Sequence, residues 1–180
     1  RAPIQFCHPW RAVQEAPSVP ELLTPLAGEA VRTEAVLKWL AATDADPFDT
    51  VRYLLEVAAD ESFSDLLYSE ELNATERALA DWSEKIEPGQ SYFWRITAID
   101  NHGLMTSSID DARFLYQATY LQVAANMPGA RVYLAGNRGY AGQFIGEAPL
   151  KLRDLPEGRY QLVVERAGFE PVYQPIDLQL

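Results

Sequence analysis

The sequence contains a single cysteine, Cys7, and only two histidines, His8 and His102. One cysteine excludes an internal disulfide bond and a metal cluster built on cysteines. Neighbouring residues of an extended chain point to opposite sides, so Cys7 and His8 do not form a nucleophile with its base. His102 lies in a predicted polar turn, Asn101-His102-Gly103. We therefore expect no catalytic centre, and a protein that is not an enzyme.

Positive charge is also scarce, since 15 Lys and Arg stand against 26 Asp and Glu and the formal net charge is −11. Binding to nucleic acid needs clustered basic side chains, so nucleic acid is excluded as an expected partner. No run of about 18 apolar residues is present to span a bilayer. The chain is therefore predicted to have no membrane span, and no motif in it indicates a cofactor.

Hydrophobic residues make up 48% of the chain, enough for packed cores. From Pro20 onward, short runs rich in Val, Leu, Ile, Tyr and Trp alternate with turn residues at intervals of about 8–12 residues, which predicts an all-β protein. The strands expected in the first series are Ala35 to Leu40, Val51 to Ala58, Phe63 to Ser69, Ser91 to Asp100 and Ser107 to Tyr116. Those expected in the second are Tyr120 to Ala125, Arg131 to Ala135, Pro149 to Arg153, Arg159 to Arg166 and Val172 to Leu178.

The segment from Glu70 to Glu87 is ambiguous. It consists of good helix formers, with apolar residues at near-helical spacing. A strand near Thr75 to Ala80 is nevertheless required to complete a sandwich. We predict the strand, because the flanking segments are so clearly β.

Residues 19–117 resemble a fibronectin type III domain. The likeness is carried by Trp39 on an early strand, by Tyr53, and by the stretch from Ile86 to Asp100. In such immunoglobulin-like sandwiches a tyrosine hydroxyl bonds back to the backbone at the tyrosine corner, and Tyr92 is placed for that role. The resemblance implies a two-sheet sandwich over this range.

Residues 118–180 resemble a PEGA domain, a small β-sandwich module of bacterial and archaeal surface proteins. The matching segments are Pro128-Gly129-Ala130-Arg131-Val132-Tyr133-Leu134, Ala148-Pro149-Leu150, Leu155-Pro156-Glu157-Gly158-Arg159-Tyr160 and Gly168-Phe169-Glu170. The resemblance implies an exported bacterial protein, periplasmic or at the cell surface. Residues 1–18, with three prolines and no periodicity, are interpreted as an extended arm or linker.

The second module departs from its family at Gly136 to Glu147, where a longer segment replaces a short hairpin. Either it is a flexible hairpin or it is a contact loop, with Tyr140 and Phe144 as apolar anchors and Arg138 as a polar one. Among the tryptophans, Trp39 and Trp94 are expected in the core. Two others, Trp10 and Trp82, are candidates for exposure and for contact with a partner or a sugar.

An acidic loop contains Asp44, Asp46 and Asp49, and two interpretations remain open for it. Three carboxylates supply the hard oxygen ligands that calcium prefers. The loop lacks the spacing of an EF-hand, and Asp is a common turn former. We favour a solvated turn and predict no metal site.

The sequence thus predicts a non-catalytic interaction or structural module of the cell envelope. Its partners would be other envelope or surface proteins, or further copies of itself in a homo-oligomer or filament. Two alternatives stay open: a module that binds cell-wall or other polysaccharides, and an accessory ectodomain of a larger enzyme or receptor. The arm of residues 1–18 is expected to add to the sheet edge of a neighbour.

Overall fold

The computed structural model describes residues 14–109, 112–136 and 140–179. This part of the chain contains fifteen strands and two single 3-10 turns, Leu79–Asp81 and Ser83–Lys85. The strands are β1 Leu22–Thr24, β2 Glu29–Val31, β3 Val36–Trp39, β4 Arg52–Ala58, β5 Leu66–Leu72, β6 Glu76–Ala78, β7 Ser91–Ile99, β8 Met105–Ser107, β9 Ala112–Tyr116, β10 Tyr120–Val123, β11 Ala130–Gly136, β12 Tyr140–Ala148, β13 Leu150–Arg153, β14 Gly158–Glu165 and β15 Val172–Leu178. Within the described residues, no helix has the length and apolar character needed to cross a membrane.

Four sheets account for these strands. The first half forms a three-stranded sheet of order β1-β3-β6 and a six-stranded sheet of order β2-β9-β7-β4-β5, in which β8 also pairs with β7. The second half forms a two-stranded sheet, β10-β13, and a four-stranded sheet of order β12-β11-β14-β15. The prediction of an all-β protein is confirmed, and the first pair of sheets has the arrangement of a fibronectin type III-like sandwich.

The chain divides into two compact units. The first comprises the described residues up to Leu26 together with Leu37–Arg77 and Phe93–Ala112. The second comprises Ala27–Val36, Ala78–Tyr92 and the described residues from Arg113 onward.

Aromatic side chains fill the core of the first unit. Trp39 packs edge-on against Tyr53, with ring centroids 5.7 Å apart, and tilts against Trp94 at 6.5 Å. The Trp94 indole donates a hydrogen bond to the carbonyl of Pro25, and the Tyr53 hydroxyl accepts one from the Ala42 N–H. Trp39 and Trp94 are both buried, as the sequence predicts.

The tyrosine corner lies in the second unit. The Tyr92 hydroxyl accepts a hydrogen bond from the Glu87 N–H and donates one to the Glu87 carbonyl, while its ring packs 5.9 Å from that of Phe114. The turn that precedes it is tied to β9, because the Gly89 N–H donates to the Tyr116 carbonyl at 2.7 Å. The role predicted for Tyr92 is therefore present.

The ambiguous segment divides between the two interpretations. It contains the predicted strand as β6, which is only three residues long, and then the two 3-10 turns. These turns bury Leu79, Trp82 and Ile86. The helical spacing of these apolar residues thus corresponds to two consecutive 3-10 turns, which end at Lys85 shortly before β7 begins.

The two sheets formed by β10 to β15 enclose a second core. Its buried residues are Leu121, Val123, Ala130, Val132, Leu134, Ala148, Leu155, Tyr160 and Leu162. Of the two interpretations of residues 136–147, a hairpin and a contact loop, the structure contains the hairpin for most of that range. From Tyr140 the chain forms β12, which pairs with β11 over its whole length. Hydrogen bonding to β11 converts the extra residues into sheet.

Candidate functional site

A row of four side chains crosses the four-stranded sheet at one level. Tyr133 on β11 lies opposite Phe144 on β12 and opposite Val163 on β14, and Val163 lies opposite Tyr173 on β15. Residues directly opposite one another in antiparallel strands project from the same face. We call these four residues the aromatic row. Phe144 is 46% exposed and Tyr173 is 65% exposed.

A bulge in the β11–β12 pairing places Phe144 in this row. The register shifts between Val132 and Tyr133, so that Ile145 is the extra residue between Gly146 and Phe144. Ile145 packs against the core, and Phe144 consequently points away from it. Without the bulge, strict alternation would exchange the faces of the two side chains.

Charged side chains border the row. The Tyr133 hydroxyl donates a hydrogen bond of 2.7 Å to the Glu165 carboxylate, and the Arg131 guanidinium lies 3.7 Å from the same carboxylate. The bond to Glu165 raises the pKa of Tyr133, because it favours the protonated hydroxyl. Arg131 also lies over the rings of Phe144 and Tyr133, at 5.1 and 5.3 Å from their centroids.

The rings of the row do not form a flat platform. Tyr133 and Phe144 meet edge to face, with centroids 5.5 Å apart and planes inclined by 63°. The contact is favourable for the two rings, since it joins the positive edge of one to the negative face of the other. It holds Phe144 in a defined orientation at the surface.

The contact residues predicted from the sequence lie in different environments. Phe144 belongs to the row, whereas Trp82 is only 3% exposed, so its expected exposure is wrong and its indole offers no surface for a sugar ring. Trp82 directly follows the first 3-10 turn and is buried there. Tyr140 begins β12 opposite Gly136, while Arg138 and Trp10 lie outside the described residues.

The sequence did not predict three residues in or beside the aromatic row: Arg131, Tyr133 and Tyr173. Alternation within β11 and β15 contains the signal that these positions face away from the core. Which strands are neighbours, however, is set by the sheet order β12-β11-β14-β15, and the sequence does not show that order.

The comparisons with known proteins support an assignment for the second half of the chain. Residues 118–179 match the family model of the PEGA domain. No curated protein matches the chain in sequence. Among solved structures, the fibronectin(III)-like modules of CbhA from Clostridium thermocellum are 15% identical over 88% of this chain and 93% of theirs, with a TM-score of 0.31.

A second solved structure is SGBP-B of the Bacteroides ovatus mixed-linkage glucan utilization locus, in complex with a mixed-linkage heptasaccharide. It is 14% identical over 89% of this chain, with a TM-score of 0.23, and this chain covers 46% of its length. Both TM-scores are low. The fibronectin type III-like assignment rests instead on the sheet orders and on the tyrosine corner.

Proposed function

We propose that this chain is a non-catalytic interaction module of the cell envelope or cell surface, which binds a protein partner through the aromatic row of its PEGA domain. The supporting observation is the row itself, in which Phe144 and Tyr173 lie exposed on one face of a four-stranded sheet. Aromatic side chains bordered by arginine are the composition that protein interfaces favour. The proposal includes an exported location, periplasmic or extracellular, and two modules that span residues 19–117 and 118–180.

A protein partner fits this surface better than a polysaccharide does. Sugar rings stack on exposed aromatic faces, and the inclination of 63° between Tyr133 and Phe144 prevents one flat sugar from covering both rings. The Arg131 guanidinium lies over these rings as well. A protein surface can present an apolar group to Phe144 and a carboxylate to Arg131 at the same time.

The arm of residues 1–18 enters the proposal in part. Its last residues are held on their own chain, because the Ser18 N–H donates to the Thr43 carbonyl and the Thr43 N–H donates to the Ser18 hydroxyl. The Glu15 N–H donates to the Asp46 carboxylate. We therefore narrow the proposal that the arm adds to a neighbour's sheet edge from residues 1–18 to residues 1–13.

Photo-crosslinking in the native cell tests the proposed function. A photoreactive amino acid replaces Phe144 in one variant and Tyr173 in another, and Phe48 in a control. Phe48 is 98% exposed but lies in the first unit, far from the row in sequence. Both row variants should yield the same discrete protein adduct, and the control should not.

Two results would argue against a protein partner. One is the absence of any adduct specific to the row positions. The other is retention of the purified protein on soluble cell-wall glucans in affinity electrophoresis, abolished by Phe144→Ala and unaffected by Phe48→Ala. The second result would assign the row to polysaccharide binding.

A further inference from the structure

Two groups of potential metal ligands in the first unit share one residue. The first group consists of Asp44, Asp46 and Asp49, all in the segment between β3 and β4. The second consists of Asp49, Asp100 and His102, the last two in the turn between β7 and β8. Within each group, one ligand atom per residue lies within 4.8 Å of the others. The fold thus brings a fourth, sequence-distant carboxylate, that of Asp100, next to Asp49 of the acidic loop.

The carboxylate of Asp100 is buried and only half satisfied. The residue is fully inaccessible to solvent, and its Oδ1 accepts hydrogen bonds of 2.8 Å from the backbone N–H groups of His102 and Leu104. Its Oδ2 is also buried and accepts no hydrogen bond from any residue that the structure describes. A buried carboxylate oxygen without a donor is costly, so it points to a missing positive ligand.

Asp44 repeats this pattern in the first group. Its Oδ1 accepts a hydrogen bond from the Asp46 N–H at 2.9 Å, whereas its Oδ2 is buried without a partner among the described residues. Asp49 has a side chain that is only 5% exposed, and its Oδ2 lies 3.0 Å from His102 Nδ1. Asp49 therefore lies close both to the half-buried Asp44 and to the buried Asp100, each of which has one buried oxygen without a partner among the described residues.

Arg52 contacts Asp100 without pairing with its carboxylate. Arg52 donates to the backbone carbonyl of Asp100, and its guanidinium pairs with Glu71 at 3.2 Å.

A second acidic turn in the same unit provides a contrast. Both oxygens of Asp60 accept hydrogen bonds from its own loop, from the N–H groups of Ser64 and Asp65 and from serine hydroxyls. Asp60 needs no cation, whereas Asp100 and Asp44 each retain an oxygen for one.

We propose that Asp44, Asp46, Asp49 and Asp100 form a calcium-binding site. Calcium lies about 2.3–2.6 Å from its oxygen ligands, so oxygens bound to one ion are at most about 5 Å apart. Each group by itself meets this limit, and an ion shared by both groups draws Asp100 toward Asp44 and Asp46. The four carboxylates are hard donors of the kind that calcium selects. His102 holds Asp49 in place through the 3.0 Å contact between its Nδ1 and Asp49 Oδ2. The ion tethers the β3–β4 segment to the β7–β8 turn.

Thermal unfolding of the whole chain tests this site after treatment with EDTA and dialysis. CaCl2 is titrated to 10 mM, with MgCl2, ZnCl2 and NaCl of equal ionic strength in parallel. Extracellular calcium modules bind with dissociation constants of about 0.1–1 mM, so we expect Tm to rise by about 5 °C with calcium alone. Asp100→Asn should abolish that rise, and so should Asp44→Asn.

The same variants distinguish a metal ligand from a purely structural residue. Without calcium, Asp100→Asn should leave Tm unchanged or raise it, because the introduced amide removes an unpaired charge and can donate to Asp49. A structural role alone predicts a lower Tm with and without calcium. Asp65→Asn is the control, since Asp65 is an exposed acid of the same unit outside both groups, and it should keep the full calcium response.

The site is refuted if calcium gives no more stabilisation than NaCl does, or if Asp100→Asn and Asp44→Asn respond to calcium as fully as the parent chain. A larger response to zinc than to calcium would also overturn it, by assigning the site to His102 and a different ion. This outcome is independent of the aromatic row, which lies in the other unit.

Discussion

The Tyr92 hydroxyl closes a ring with the backbone of Glu87, accepting a hydrogen bond of 2.8 Å from its N–H and donating one of 3.1 Å to its carbonyl. This double contact fixes the turn that leads into β7. Burial raises the pKa of Tyr92, so the hydroxyl remains protonated and able to donate.

Tyr92→Phe removes both hydrogen bonds and keeps the ring against Phe114. We expect the free energy of unfolding to fall by about 1–3 kcal/mol, since two backbone groups lose their partner. Denaturant unfolding of the variant measures this. Tyr173→Phe, at a position 65% exposed, is the control and should change stability by less than about 0.5 kcal/mol. Equal effects of the two substitutions would contradict the role assigned to the corner.

Arg153 on β13 binds backbone carbonyls within the second unit. Its guanidinium donates to the carbonyl of Ser83 at 2.8 Å, at the start of the second 3-10 turn, and to that of Ile86 at 2.6 Å, just after this turn. Arg153→Met should lower the free energy of unfolding by about 1–3 kcal/mol, because these carbonyls lose a charged donor. Arg159→Met is the matched control. Arg159 is 91% exposed, and its ion pair with Asp177 is long, at 3.7 Å. Its substitution should therefore lower the free energy of unfolding by about 0–1 kcal/mol.

Two glycines of the β11–β12 hairpin differ in what surrounds them. A Cβ at Gly136 would lie 2.6 Å from the Arg159 carbonyl oxygen, whereas one at Gly142 meets nothing within 4 Å. Both residues have positive φ, at 106° and 70°. Gly142→Ala should therefore cost about 1–2 kcal/mol from backbone strain alone. Gly136→Ala should cost about 3 kcal/mol or more, because the backbone of β14 must move as well. Similar denaturation midpoints for the two variants would exclude this close approach.

Asp60 gives the first unit a pH-dependent contribution to stability. Hydrogen bonds to its carboxylate, above all from the Ser62 hydroxyl, hold the pKa of Asp60 well below its usual range. A folded-state pKa below the unfolded one stabilises the protein above the unfolded pKa, and this stabilisation is lost as pH falls. Asp60→Asn should thus lower Tm at pH 7, and the difference from the parent chain should shrink below about pH 4.

Tm measured between pH 7 and pH 3 checks this dependence. Asp65→Asn serves as the control, because it keeps the backbone N–H that donates to Asp60 and should follow the pH profile of the parent chain. A constant Tm difference between Asp60→Asn and the parent across this range would show that the Asp60 hydrogen bonds do not depend on its charge.

Local sequence predicted much of the fold. In β7 the predicted face of Tyr92, Trp94 and Ile96 is buried, and Phe93 and Arg95 between them are less buried, whereas from Thr97 onward every position is buried. Pro-Gly pairs and the tyrosine corner act over a few residues, so their geometry follows from the sequence nearby. The short strands β1 and β2 were missed because three residues contain no detectable period.

The sequence by itself determined that the chain is all-β and that Phe144 is a candidate contact residue. It also determined that the first half resembles a fibronectin type III domain and the second half a PEGA domain. Only the tertiary structure decided that Phe144 faces outward beside Tyr133, that Trp82 is buried, and that Asp100 reaches the acidic loop. The physical reason is that period-two alternation assigns residues to one of two faces. Register, bulges and sheet order then decide which distant residues share a face, and they arise from packing of the whole chain.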